Sequence, residues 1–209
     1  MREKRNFFDP KEYQIKRGQV PKYDIHNAIL LFDIVGFSAD MVNEVMINIV
    51  GNIHKAMWDT LESTYYWAEK TENSNNNDLL LIPTGDGYGI ALNNIHKDET
   101  ILDIAEKLYK RFIKEQLKFR MGIAKGRNVL AIDLNDNLNI FGYGIVMATR
   151  VCSVAKEGQI LVHSHLADSL LQQKRISELK KIDTPYEVKH GVSFHCYNYY
   201  RENEFGIES

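Results

Sequence analysis

The side chains best suited to chemistry are two aspartates, each at the end of an apolar run and each close to glycine. Asp33 closes the core-like part of AILLFDIVGFS, residues 28–38, with Gly36 just beyond it, and Asp86 stands between two glycines in PTGDGYGIAL. A carboxylate carried into the interior on a strand is costly and normally neutralises or finds a partner. Two such groups beside flexible backbone can hold divalent cations, while the amides around Gly36, Phe37 and Ser38 can approach phosphate oxygens without a side-chain barrier. Two cations can activate an attacking hydroxyl and stabilise a phosphoryl transition state. A third candidate is Arg150, the only charged residue from Asn137 through Ala155, because a guanidinium suits the charge on a phosphate.

Taken singly, each has a plain structural alternative. Asp33 can cap the helix that begins after Gly36, Asp86 can fill a hairpin turn, and Arg150 can pair with a carboxylate or lie along the surface. Convergence favours chemistry, and the elements that position the residues predict it. A strand runs from His26 to Asp33, and a helix is expected over 39–69, with Met41, Val45, Ile49 and Ile53 recurring on it. After the polar loop TENSNNND come LLLIPT and GYGIAL, joined through GDG as a hairpin, then a helix over 98–115 and the strands KFRMGIAKG and NVLAIDL. That order, βαββαβ, predicts an α+β fold with a ferredoxin-like core, whose first and second strands run parallel with the third between them. Asp33 and Asp86 then meet at one sheet edge. A C-terminal extension follows: a helix from Tyr143 to about Val154, the strand QILVH, a short helix near SHLADSLLQQ and a strand region YEVKHGVSFHCYNYY.

A chain of 209 residues with 44% hydrophobic content suits one domain with a substantial core. The expected division is a polar arm at 1–22, the domain at 23–203 and a tail at 204–209. A formal net charge of -2 predicts no general attraction to nucleic acid or an anionic membrane. Cys152 and Cys196 fit a reducing compartment better than a disulfide scaffold, with a single bridge still open. No stretch has the apolar length of a signal peptide or a membrane span, so the expected location is cytoplasmic. His163 and His165, in HSH, form a weaker metal candidate without a visible third ligand.

In order and spacing, FDIVGFS, PTGDGYGIAL, FRMGIAKG and IFGYGIVMATR resemble the motifs of the class III nucleotidyl cyclases, the catalytic-domain family of adenylate and guanylate cyclases. The first two resemble the metal motifs, the third the strand after the second helix, and the fourth the dimer-interface helix. The resemblance spans roughly residues 26–200. It implies a homodimer with composite sites, in which Asp33, Asp86 and the backbone carbonyl of Ile34 bind two divalent cations, Mg2+ or Mn2+, and the other chain supplies Arg150. It further implies a nucleoside triphosphate whose 3′-hydroxyl attacks its own α-phosphate and expels pyrophosphate, so that the protein mainly aligns the reactants and neutralises charge. Lys189 in EVKHG resembles the family's phosphate-contacting lysine, with an exposed lysine beside a turn as the alternative.

Departures from the pattern bear on the base. Adenylate cyclases usually carry a lysine three residues before the glycine of the second metal motif, guanylate cyclases commonly a glutamate, and the interface-loop motif usually has an acidic or small polar residue. The matching positions are Ile82 and Asn139. Ile82 offers a purine edge no polar contact, whereas Asn139 offers a donor and an acceptor, suited to uracil, or to cytosine with the amide flipped. Val146 stands where many members place a catalytic asparagine, one turn before Arg150, so that either another residue assists, such as Tyr143 or a residue of the other chain, or catalysis is weak. These departures resemble the bacterial Pycsar pyrimidine cyclases of antiphage defence, and so imply a uridylate cyclase making cyclic UMP, read by a separate cyclic-nucleotide-binding effector. A cytidylate, adenylate or guanylate cyclase, or a catalytically silent nucleotide-binding module, are the alternatives.

Overall fold

The computed structural model describes residues 24–37, 43–63, 79–92, 98–133, 135, 137–172, 178–188 and 191–199. The arm at 1–22, the tail at 204–209, Ser38 and Lys189 lie outside the described residues. The first half runs β1 (Asp24–Ile34), α1 (Asn43–Glu62), β2 (Leu79–Pro83), β3 (Gly87–Leu92), α2 (Glu99–Lys114) and β4 (Phe119–Ile132). These strands lie in the order β2-β3-β1-β4, every neighbouring pair antiparallel, which is the ferredoxin-like arrangement expected from the sequence. The second half adds β5 (Leu138–Gly142), α3 (Tyr143–Val154), β6 (Ile160–His163), α4 (Ser164–Gln172), β7 (Leu179–Lys181), β8 (Tyr186–Val188), β9 (Val192–Phe194) and β10 (Cys196–Tyr199). β6 pairs parallel to β4, β10 lies between β6 and β7, and β8 with β9 forms a separate hairpin.

β1 reads as one apolar run because both faces of the sheet are covered. Ala28, Leu30, Phe32 and Ile34 point into a core shared with α1, α2 and α4, whereas Ile25, Ile29 and Leu31 point into a second core under α3. In α2, Ile101, Ala105, Leu108 and Phe112 recur at helical spacing on the buried side, and the Phe112 ring lies 4.9 Å from Phe32 and 5.1 Å from Phe119.

Two devices hold α3 on its face of the sheet. A Cβ on Gly122 would stand 2.1 Å from the Cys152 backbone nitrogen, so the helix rests directly on the β4 backbone there. At its other end, Asn128 Oδ1 accepts the Ile145 N–H at 3.1 Å and acts as a helix cap delivered from β4. Asn128 Nδ2 donates to Asn27 Oδ1 at 2.8 Å, and Asn27 Nδ2 donates to the Leu92 carbonyl at 2.9 Å. This buried chain of amides ties β3, β1 and β4 to the start of α3.

Three expectations change. The strands KFRMGIAKG and NVLAIDL are one strand, because β1 is long enough to pair with β4 from Phe119 to Val129 and carries the polar Gly126–Asn128 stretch straight through. The terminal strand region is three short strands, interrupted where Gly191 takes φ 68° and where the His195 carbonyl accepts the Ser164 N–H at 3.0 Å. β5 and β7 were not foreseen; each is short and gains its place from β4 or β10 rather than from its own pattern. The helix expected over 39–69 is α1, Asn43–Glu62, with Ser63 in a turn and the remaining flanks outside the described residues.

Candidate active site

Asp33 sits near the end of β1 on the α3 side of the sheet, opposite Gly87 of β3 on one flank and Arg120 of β4 on the other. Asp86 immediately precedes Gly87 in the β2–β3 turn, and its carbonyl accepts the Ile34 N–H at 3.0 Å. A Cβ at Gly87 would stand 1.9 Å from the Phe32 carbonyl oxygen, so only glycine lets this turn close onto β1. The fold therefore brings the two carboxylates together, as the strand order predicts. Partial burial, then the hydrogen-bonding and charge of the facing Asp33, raise the Asp86 carboxyl above its usual pKa.

Arg120, which the sequence reading passed over, completes the cluster. Its Nε and Nη2 both donate to Asp33 Oδ2, at 2.8 and 2.5 Å, and Nη1 donates to the Ser153 carbonyl of α3 at 3.2 Å. A lone charge inside the apolar strand FRMGIA was the available clue. With both carboxylates ionised, Asp33 Oδ1 is buried and has no donor. A buried carboxylate oxygen without a donor, on a carboxylate that lies beside a second one, is a donor set that suits a hard divalent cation. Beneath it, the Cys152 Sγ lies 3.7 Å from the Arg120 carbonyl, and burial, followed by the charge of Asp33, pushes this thiol up to about 12.

The turn after β1 places Ile34, Gly36 and Phe37 beside the aspartates. The Ile34 carbonyl accepts the Phe37 N–H at a long 3.4 Å, Gly36 is exposed with φ 81°, and the Phe37 ring packs against the core under α1 and α2. Arg150 is half-buried in the C-terminal half of α3, and among the described residues it makes no ion pair with either aspartate. Tyr143 and Val146, at helical spacing from it, are 57% and 45% exposed, with Phe141 at 49% beside them. That face of α3 is open to a partner.

Ile82 and Asn139 are not brought together. Ile82 lies on β2, its side chain against Gly89 and near Ile145 in an apolar setting. Asn139 lies on β5, across β3, β1 and β4, and the packing of Leu138 and Ile140 toward α3 puts it on the other side of its strand. Its Oδ1 accepts the N–H of its neighbour Ile140 at 2.8 Å, and its side chain lies near the Asp133 carboxylate, whose pKa it helps to lower. The Asp133 carboxylate also accepts the N–H groups of Asn137 and Asn135, which hold its pKa down. Asn139 is thus engaged within the β4–β5 turn.

The remaining candidates are structural. Both cysteines are free and buried. His163 is buried with its Nδ1 accepting the His165 N–H at 3.3 Å, and no group of three potential metal ligands occurs among the described residues. Among the described residues no helix is long and apolar enough to cross a membrane.

No family model and no curated protein matches the sequence. Solved structures do match. The guanylate cyclase domain of RhGC from Catenaria anguillulae, in complex with GTP, superposes with a TM-score of 0.66 at 16% identity, over 85% of this chain and 98% of that one. The adenylyl cyclase CyaB from P. aeruginosa gives 0.66 at 16%, over 86% and 96%. The guanylyl cyclase Cya2 gives 0.64 at 13%, over 86% and 94%. The chain has the fold of the adenylate and guanylate cyclase catalytic domains.

Proposed function

We propose that the chain is a nucleotidyl cyclase that converts a nucleoside triphosphate, UTP by preference, to its 3′,5′-cyclic monophosphate and pyrophosphate. The observation that carries this reading is the pairing of Asp33 with Asp86 at the end of the central strands, with one Asp33 oxygen buried and unpartnered. Asp33 Oδ1, the Asp86 carboxylate and the Ile34 carbonyl are the groups that would hold two divalent cations, Mg2+ or Mn2+. Bound there, such ions lower the proton affinity of the attacking hydroxyl and neutralise phosphoryl charge. Gly36 leaves the backbone open to the triphosphate, and Ser38 and Lys189 are further candidates for phosphate contact. Arg120 adds a fixed positive charge beside the carboxylates.

The exposed face of α3, with Phe141, Tyr143 and Val146 around Arg150, supports a homodimer in which Arg150 of the partner subunit meets the developing phosphate charge. Tyr143 is the candidate to assist where Val146 cannot. Ile82, in its apolar setting, supports a pyrimidine over a purine, because a purine edge would find no polar side chain there. Asn139 would have to give up the Ile140 N–H, or use its own N–H groups and remaining lone pair, to read a base. A cytoplasmic signal in antiphage defence, read by a separate cyclic-nucleotide-binding effector, is the role that the motif resemblance supports.

Incubation of the purified protein with UTP, CTP, ATP or GTP and Mn2+ tests the reading. Cyclic UMP and pyrophosphate are the expected products, with turnover falling roughly 10³-fold in Asp33→Ala or Asp86→Ala while the fold persists. Undiminished turnover in either variant rejects its cation role, and preference for a purine triphosphate overturns the base assignment.

A further inference from the structure

We propose that Arg120 is a resident counter-ion of the cation site, neutralising Asp33 in the metal-free protein so that a divalent cation must compete with it. The proposal rests on the reading of Asp33 and Asp86 as cation ligands. Its starting point is geometric: two guanidinium nitrogens converge on a single oxygen, Asp33 Oδ2, while Oδ1 is buried and has no donor. Arg120 thereby sets which Asp33 oxygen remains for a metal. With both carboxylates ionised, the three side chains sum to a charge of about −1 rather than the −2 of the carboxylates alone, which relieves their mutual repulsion.

The same guanidinium is a cost for an entering cation. Its positive charge is ion-paired to the ligand carboxylate itself, in a setting where the Asp33 side chain is 17% exposed and solvent screens incompletely. Arg120 has a second foothold in the Ser153 carbonyl near the end of α3, where helix carbonyls lack partners and carry partial negative charge. The side chain can therefore loosen from Oδ2 while remaining anchored. The consequence is weak affinity for a cation alone and stronger affinity for a cation that arrives with an anionic triphosphate supplying the missing negative charge.

Electron paramagnetic resonance titration of free Mn2+ against nucleotide-free protein tests this without any turnover. Arg120→Met is expected to bind Mn2+ roughly tenfold more tightly than the wild type, and Arg120→Lys, which keeps the charge, to stay within about threefold of it. Equal or weaker binding by Arg120→Met overturns the counter-ion proposal but leaves the cation site intact. Asp33→Asn should bind Mn2+ at least roughly tenfold more weakly than the wild type; if it binds equally well, the reading of the site fails and the proposal with it. Should Arg120→Met not fold, the wild type decides: on Mg2+ titration the Arg120 Nε–H resonance should shift in step with binding, and an unmoved resonance at saturation refutes the proposal.

Discussion

The amide chain under α3 makes a sharp stability prediction. Asn128 is 1% exposed and Asn27 2%, so neither can replace a lost partner with bulk water. Asn128→Ala removes the cap on the Ile145 N–H, worth about 1 kcal/mol, and strands Asn27 Oδ1, at about 1–3 kcal/mol. The sum is a loss of roughly 3 kcal/mol, or a fall in Tm of about 6–12 °C for a chain of this size. Asn27→Ala leaves Asn128 Nδ2 with only the Gly126 carbonyl and takes the Asn27 donor from the Leu92 carbonyl. Because each single variant breaks the one bond that the two amides share, the double variant should cost less than the two singles added, by about 1–2 kcal/mol. Urea unfolding of the four proteins, with Cm compared at constant m, measures this coupling. A loss below about 1 kcal/mol for Asn128→Ala, or strict additivity, would refute the reasoning.

Two further outcomes concern the site itself. The folded chain holds the Asp86 proton more tightly than the unfolded chain, so this group's contribution to stability is present below the ordinary carboxylate pKa of 3.8 and is lost as pH rises through the raised value. Asp86→Asn should therefore gain on the wild type in metal-free thermal melts as pH climbs from acid to neutral, by less than about 1 kcal/mol because the group is largely solvated, and Mg2+ should reverse the order; an advantage that shrinks with pH contradicts this. If the proposed sites are shared between subunits, mixing Asp33→Ala with Arg150→Ala protein should restore some turnover through one intact composite site, and no recovery despite verified subunit exchange argues that each chain works alone.

What could be read from the sequence followed from covalent order and burial. The continuous apolar run of β1 reports a strand covered on both faces, and the βαββαβ order places Asp33 against the turn bearing Asp86. α3 was legible from Tyr143 to Val154 because its apolar content lies between Gly142 and the extended Ala155. Arg120 was not, since its meeting with Asp33 depends on the β1–β4 register, which local pattern does not fix. The continuity of β4 was hidden for a related reason: the polar stretch Gly126–Asn128 is where the sequence divides into two expected strands, yet Asn128 is buried by a partner on β1. Asn139 looked free to read a base because the sequence does not show the turn in which its Oδ1 accepts the Ile140 N–H.

The three charged groups of the site differ in how firmly their backbones are held. β4 pairs with β1 along one edge and with β6 and then β5 along the other, and β1 lies between β3 and β4, so the roots of Arg120 and Asp33 are locked on both flanks. Asp86 sits at the tip of a two-strand finger whose outer member, β2, is the last strand of the sheet, and the bond from the Ile34 N–H to the Asp86 carbonyl ties that tip to β1. Any change in the spacing of the carboxylates is therefore easiest to make by bending that finger, which makes it the compliant jaw of an otherwise rigid vice.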